Sequence, residues 1–234
     1  MITIKKLALM LGTTALLLSQ PSFALPSALT ANYSVYKGSL YLGDMTSTLR
    51  YAKNQYHYYK NTKAKGFAAL ITKAVIKEKV DGSFKGDRLS PIKYYFLQST
   101  RKNSRTENTR FTGLNAKGSY KNNHYDVKLP QGTLDRASLE LALATDISKK
   151  KAVLSYNVME RGKLKKYNFR RLGEEQLTTS NGTFTTTKVS VVRADNKRST
   201  TFWLAKELDY MPVKIIHKEK NDVITTVIKS HQAH

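Results

Sequence analysis

Short runs of alternating apolar and polar residues, most of them rich in Tyr, Val, Ile, Thr and Phe, dominate the chain from residue 29 onward. Leu29–Lys37, Leu40–Tyr51 and Gln55–Lys65 are separated by Gly38-Ser39 and by Ala52-Lys53-Asn54, which reads as three strands joined by tight turns. Gly66 introduces Phe67–Lys73, a short helix or a loop. Ala74–Val80 ends at Asp81-Gly82, a favoured hairpin turn. Pro91–Arg101, Arg105–Phe111 and Ser119–Leu129 continue the pattern. One stretch departs from it. Asp135–Ser148 spaces Leu139, Leu143 and Ile147 four apart with Ala142 beside them, which predicts a helix packed against one face of the sheet. Asp135 is placed to cap it, and Lys149–Lys151 suit its negative C-terminal end. Strand patterns resume at Ala152–Glu160, Lys163–Arg171 and Gln176–Thr178. After the hairpin signal Asn181-Gly182 come Thr183–Arg193, Ser199–Leu204, Val213–Lys220 and Asp222–His231. The expectation is a mainly β fold: about ten or eleven antiparallel strands and one main helix. That many strands in one sheet must curl into a half-barrel or open barrel. No internal repeat or Pro-rich linker divides the chain, so residues 25–234 read as a single domain.

The N-terminus carries a different pattern. Lys5 and Lys6 precede an uncharged apolar run from Leu7 to Leu18, broken by Gln20-Pro21. Ser22-Phe23-Ala24 sets small residues where a signal peptidase requires them, so residues 1–24 read as a signal peptide cleaved after Ala24. As a helix the apolar run spans about 18 Å, too short for a hydrocarbon core of roughly 30 Å. The expected location is the periplasm. There is no Cys anywhere, which suits an oxidising compartment and excludes disulfides, Cys-ligated metal and lipidation at a cysteine.

Charge changes the picture further. Forty Lys and Arg against 17 Asp and Glu give a formal charge of +23. In the cytosol such an excess points to nucleic acid. After export no nucleic acid partner is expected, and the available polyanions are phospholipid headgroups and acidic envelope polymers. Lys60, Lys63, Lys65, Lys73, Lys77 and Lys79 crowd one region. Lys149–Lys151 and the group Lys163, Lys165, Lys166, Arg170 and Arg171 form two more. Catalytic signatures are missing. The five His are scattered, no Gly-x-Ser-x-Gly elbow occurs, and no pair of ligands has metal spacing, so no catalytic residue, metal or cofactor is expected. A hydrolase or lyase assembled from distant residues stays as a third alternative.

Two stretches carry a family resemblance. One is Leu129-Pro130-Gln131-Gly132-Thr133-Leu134-Asp135-Arg136-Ala137-Ser138-Leu139. The other is Phe202-Trp203-Leu204-Ala205 followed by Leu208-Asp209-Tyr210-Met211-Pro212-Val213-Lys214-Ile215. With Tyr33–Gly38, Gly43 and Leu89-Ser90-Pro91, this order resembles domain of unknown function family 3108, exported proteins of Gram-negative bacteria. The resemblance implies a periplasmic antiparallel β-protein, shaped like the curved half-barrels of lipoprotein carriers. Its motif residues Pro130, Asp135, Ser138 and Pro212 read as structural. A non-enzymatic binding protein that shelters a lipid or other amphiphile is the function this implies, with Tyr95, Phe202, Trp203 and Tyr210 as candidate ligand contacts. On its strand Trp203 faces either the core or a cavity. The alternative is an envelope protein that grips anionic membrane or polysaccharide through its basic faces.

Overall fold

The computed structural model describes residues 25–194 and 197–234; the signal peptide read over residues 1–24 lies outside them. The first half of the chain forms β1 (Leu29–Lys37), β2 (Leu40–Ala52), β3 (Gln55–Ala64), α1 (Gly66–Thr72), β4 (Val75–Lys85), β5 (Arg88–Ser99), β6 (Ser104–Thr112), β7 (Asn115–Tyr120) and β8 (Asn123–Lys128). After α2 (Arg136–Ser148) come β9 (Leu154–Glu160), β10 (Lys163–Thr179), β11 (Gly182–Val192), β12 (Arg198–Ala205), a single 3-10 turn, β13 (Met211–Glu219) and β14 (Asp222–Ala233). All fourteen strands join one antiparallel sheet in the order β8-β7-β6-β5-β4-β3-β2-β1-β14-β13-β12-β11-β10-β9. Two meanders are thus stitched together where β14 pairs with β1, and β8 and β9 are left as the edges.

The strand number exceeds the ten or eleven expected from the sequence. Ser119–Leu129 is a hairpin, with Lys121 turning at φ +56°, rather than one strand, whereas Lys163–Arg171 and Gln176–Thr178 run together through a register shift at Arg171–Gly173 as the single strand β10. Asp81-Gly82 is not a turn: the pairing register slips there, and β4 runs on to Lys85. Gly82 is needed for another reason, because a Cβ would lie 2.3 Å from the Tyr56 ring. The actual turn falls at Gly86-Asp87, with Gly86 at φ +60°.

The sheet curls around α2. The helix touches β4 and β5 on one side and β9 and β13 on the other, which only a wrapped sheet allows. Leu139, Leu143 and Ile147 are buried as their spacing predicts, but so are Leu141 and Ala144 on other sides. The helix is therefore an internal pillar rather than a cover on one face. Its start is fixed by Asp135. The carboxylate accepts from the N–H groups of Ala137 at 2.8 Å and Ser138 at 3.0 Å, and from the Ser138 hydroxyl at 2.5 Å. Ser138 is tied in turn to the Tyr56 hydroxyl at 2.7 Å, anchoring the helix to β3. Tyr33, Leu49, Val80, Tyr94, Phe96, Val158, Val189 and Val213 line the inner face of the sheet against this pillar.

The two edges meet without closing the ladder. The segment after β8 crosses between them: Leu129 N–H bonds to the Leu114 carbonyl, and Leu134 exchanges bonds with Asn157 and Met159 of β9. Ala116, Leu129 and Met159 form a small apolar cluster beneath this strap, which covers otherwise unpaired edge groups. Beside it, buried Glu107 of β6 accepts from the N–H of Arg161, in the β9–β10 turn, at 2.6 Å. Burial pushes the Glu107 carboxyl up to about 7. Its folded-state value lies above its ordinary one of 4.5, so the stabilisation is complete below pH 4.5 and is lost as pH rises through 7. Denaturant midpoints should therefore fall between pH 5 and pH 8, by a contribution on the order of 2–3 kcal/mol from this group. Glu107→Gln, which keeps the acceptor and removes the charge, should flatten that fall and raise the midpoint at pH 8.

Candidate functional site

On the side facing β4 and β5, α2 is held by ions. Lys60 of β3 reaches Glu78 of β4 at 2.7 Å and Glu140 of α2 at 2.5 Å. Tyr94 donates to Glu78 at 2.7 Å, and Tyr58 donates to Glu140 at 3.1 Å. Arg136, one turn before Glu140 on the same helix face, lies over the Phe96 ring at 5.3 Å and 3.9 Å from Glu78. Burial would raise Glu78, but the charges of Lys60 and Arg136 outweigh it and hold the carboxyl at about 2. For Lys60 burial acts downward, and its two carboxylate partners outweigh it, so the ammonium is raised. Lys60, read from sequence as part of an exposed basic region, is therefore an interior ion.

On the opposite side α2 touches β9 and β13, and a cleft of about 830 Å³ remains between the helix and β9–β13. Strand register sorts its lining into layers. Arg198 pairs with Glu219 at the rim, Thr200 with His217 one step in, and Phe202 with Ile215 one step further. Each step is two residues, so the apolar layer lies roughly 13 Å below the rim. Phe169 of β10 joins that layer, with its ring 6.1 Å from Phe202, as do Val191 and, from the helix, Leu139 and Leu143. The polar lining is unbalanced: Arg105, Arg136, Arg161, Lys165, Lys166, Arg193 and Arg198 stand against Glu140, Glu160 and Glu219.

Two of those acids are already engaged. Glu140 belongs to the Lys60 network, and Glu160 accepts from Tyr167 at 2.7 Å and Lys165 at 3.0 Å. Burial raises Glu160, yet the Tyr167 hydrogen bond and the Arg136 charge prevail and keep it below its ordinary range. Arg193 contacts Thr200 at 3.5 Å through one terminal nitrogen, while its buried Nε has no hydrogen-bond partner among the described residues. A cleft with an apolar base, a cationic wall and an unmet buried donor suits a molecule that is anionic at one end and apolar at the other. Among the described residues no group of three His, Cys, Asp or Glu is placed to hold a metal ion, and no helix is long and apolar enough to cross a membrane.

With this geometry in view, comparison with known proteins settles the family. The family model described as "Protein of unknown function (DUF3108)" matches residues 32–229. The chain belongs to the DUF3108 family. A crystal structure of a β-barrel-like protein of domain of unknown function DUF1849 from Brucella abortus is similar in fold. It has a TM-score of 0.58 and 7% identity, and the match covers 90% of this chain and 99% of that one. A "putative lipoprotein" from Parabacteroides distasonis aligns over 90% of this chain and 97% of its own at 10% identity, but its TM-score of 0.39 supports no argument. No curated protein matches the chain.

In this DUF3108 protein the motif residues sit at structural joints. Asp135 and Ser138 start the pillar, the Pro130 carbonyl accepts from Thr133 in the strap, and the Pro212 carbonyl accepts from Tyr33 at 2.9 Å where β13 begins. The four aromatic candidates do not converge. Phe202 lies in the cleft. Trp203 follows it on the strand and points to the other face of the sheet, where Lys188 and Lys214 flank its ring at 4.9 and 5.0 Å and Glu175 accepts its N–H. Tyr95 lines a shallow hollow of about 420 Å³ on the outer face, and Tyr210 takes a left-handed turn at the far end of the barrel. Phe169, Ile215 and Arg193 are not candidate ligand contacts in the sequence, because only the pairing of β10 through β13 brings them together.

Replacing Lys60 by Met should destabilise the protein by about 3–5 kcal/mol in denaturant titrations, because two buried carboxylates lose their cation. Adding Glu140→Gln to that variant should restore part of the loss, since one orphaned charge is removed.

Proposed function

We propose that this DUF3108 protein is a non-enzymatic binding protein of the cell envelope, exported by its signal peptide and holding an anionic amphiphile in the cleft beside α2. The observation that supports the reading best is the layered lining: cations at the rim and wall, then Phe169, Phe202, Ile215, Leu139 and Leu143 at the base. An acyl chain entering to the base exchanges water for aromatic and aliphatic contacts, at roughly 25 cal/mol per Å² buried. Its headgroup stays among the arginines and supplies an acceptor for Arg193. The buried Ser138, Asp135 and Tyr56 form a hydrogen-bonded row, but their burial and their capping role favour support over catalysis.

A second reading, in which the protein grips acidic envelope polysaccharide, draws on the outer hollow at Tyr95, where Lys79, Lys93, Arg110 and Lys117 gather. Its binding would fade with salt, as exposed charges are screened.

Native mass spectrometry of the gently purified protein should show a retained amphiphile. Calorimetric titration with oleate, used as a defined anionic amphiphile, should show binding that Phe202→Glu and Arg193→Glu each weaken by roughly tenfold or more. Trp203→Phe, on the other face of the sheet, should leave oleate affinity unchanged. A bare polypeptide mass together with no heat from oleate would reject the cleft as a ligand site and leave the polysaccharide reading.

A further inference from the structure

The cleft opens at the end of the barrel that carries the β9–β10, β11–β12 and β13–β14 turns, because its rim residues Arg161, Arg193, Arg198 and Glu219 stand beside those turns. Antiparallel alternation puts the β1–β2 turn and α1 at the same end, and the bond from the Gly38 N–H to the Val223 carbonyl joins the two sets of turns directly. Here α1 presents Phe67, Leu70 and Ile71 to solvent at 68, 72 and 56% exposure, and Leu40 on the adjoining β2 is 52% exposed. Positions 67, 70 and 71 share one helix face. Only Ala68 of α1 is buried.

This knuckle is not a loose loop. Its neck is closed by the bond from the Ala64 N–H to the Ala74 carbonyl at 2.8 Å. Lys65 N–H bonds to the Leu42 carbonyl, and Arg101 donates to the Leu70 and Thr72 carbonyls at 2.7 Å each. The fold therefore holds three large apolar side chains rigidly away from the core, an arrangement that is unfavourable in water and marks an interaction surface. Lysines surround it. Lys63, Lys65 and Lys73 are exposed on and beside α1, and Lys102 follows Arg101 in the neighbouring loop. Of the nearby acids in the β1–β2 and β13–β14 hairpins, Asp44 is paired with Lys229 and Asp222 with Lys37, while Glu219 lies 3.9 Å from His217 at the cleft rim.

We infer that this end of the molecule docks on an anionic phospholipid bilayer, with Phe67, Leu70 and Ile71 entering the headgroup boundary while the surrounding lysines meet lipid phosphates. An apolar face ringed by cations is complementary to that interface and to no neutral or purely aqueous partner. The inference concerns the outer knuckle and stands whether or not the cleft holds a ligand. If both hold, docking turns the cleft mouth toward the membrane.

The absence of cysteine makes the test direct. Ile71→Cys and, at the far end, the exposed Val153→Cys each give a single attachment site for an environment-sensitive nitrobenzoxadiazole dye. On phosphatidylglycerol vesicles the dye at position 71 should brighten and shift to shorter wavelength, and the dye at 153 should not. Phosphatidylcholine vesicles or high salt should weaken the response. In the otherwise unaltered chain, Phe67→Ser with Leu70→Ser should lower sedimentation with phosphatidylglycerol vesicles by roughly tenfold or more, while leaving oleate titration of the cleft unchanged. Equal responses at 71 and 153, or no response at 71 in low salt, would overturn the inference. So would a shift at 71 that grows with protein concentration in the absence of vesicles, because the occupant would then be a second copy of the chain.

Discussion

A single ammonium group, that of Lys60, joins strand β4 to helix α2 through Glu78 and Glu140, and the interior is arranged around that junction. A buried ion pair adds little net stability over well-packed apolar groups, but separating its members is severely unfavourable. The network therefore acts chiefly on orientation. Any rotation of α2 that carries Glu140 away from Lys60 strands charge in the core. With that angle set, Leu139 and Leu143 face the open side of the barrel, and the cleft follows from the rotation of one helix.

Much of the architecture was readable because it rests on local chemistry. The Tyr- and Thr-rich alternation gives the strands, and Asp135 announces the start of the pillar through its capping geometry. What was not readable depends on partners distant in sequence. Lys60 looks like any surface lysine on a polar strand until β4 supplies Glu78 across the ladder. Asp81-Gly82 has turn chemistry, but its glycine serves to admit the Tyr56 ring and the chain runs on. Phe202 and Trp203 are neighbours of similar character, and strand alternation sends them to opposite faces, one into the cleft and one between two lysines. No property of either residue alone decides which faces which way.

The net charge of the chain likewise resolves into distinct roles. Lys60 is interior, Arg136 ties that network to the cleft wall, and other cations line the cleft or ring the apolar knuckle at α1. One excess of lysine and arginine thus serves packing, a pocket and an outer surface, which composition cannot separate.

The pairing of β14 with β1 also bears on how the fold is reached. These strands lie side by side at the middle of the sheet, yet they are drawn from opposite ends of the described chain. A polypeptide emerging from its N-terminus can build the β1–β8 meander early, but β1 then waits with one side unpaired until the final strand appears. Joining the two meanders closes a loop of nearly the whole domain, a contact of very high sequence separation, and such contacts slow folding. During that wait the central strand, which is protected in the finished sheet, is the exposed edge, and this interval is when the protein is most vulnerable to mispairing.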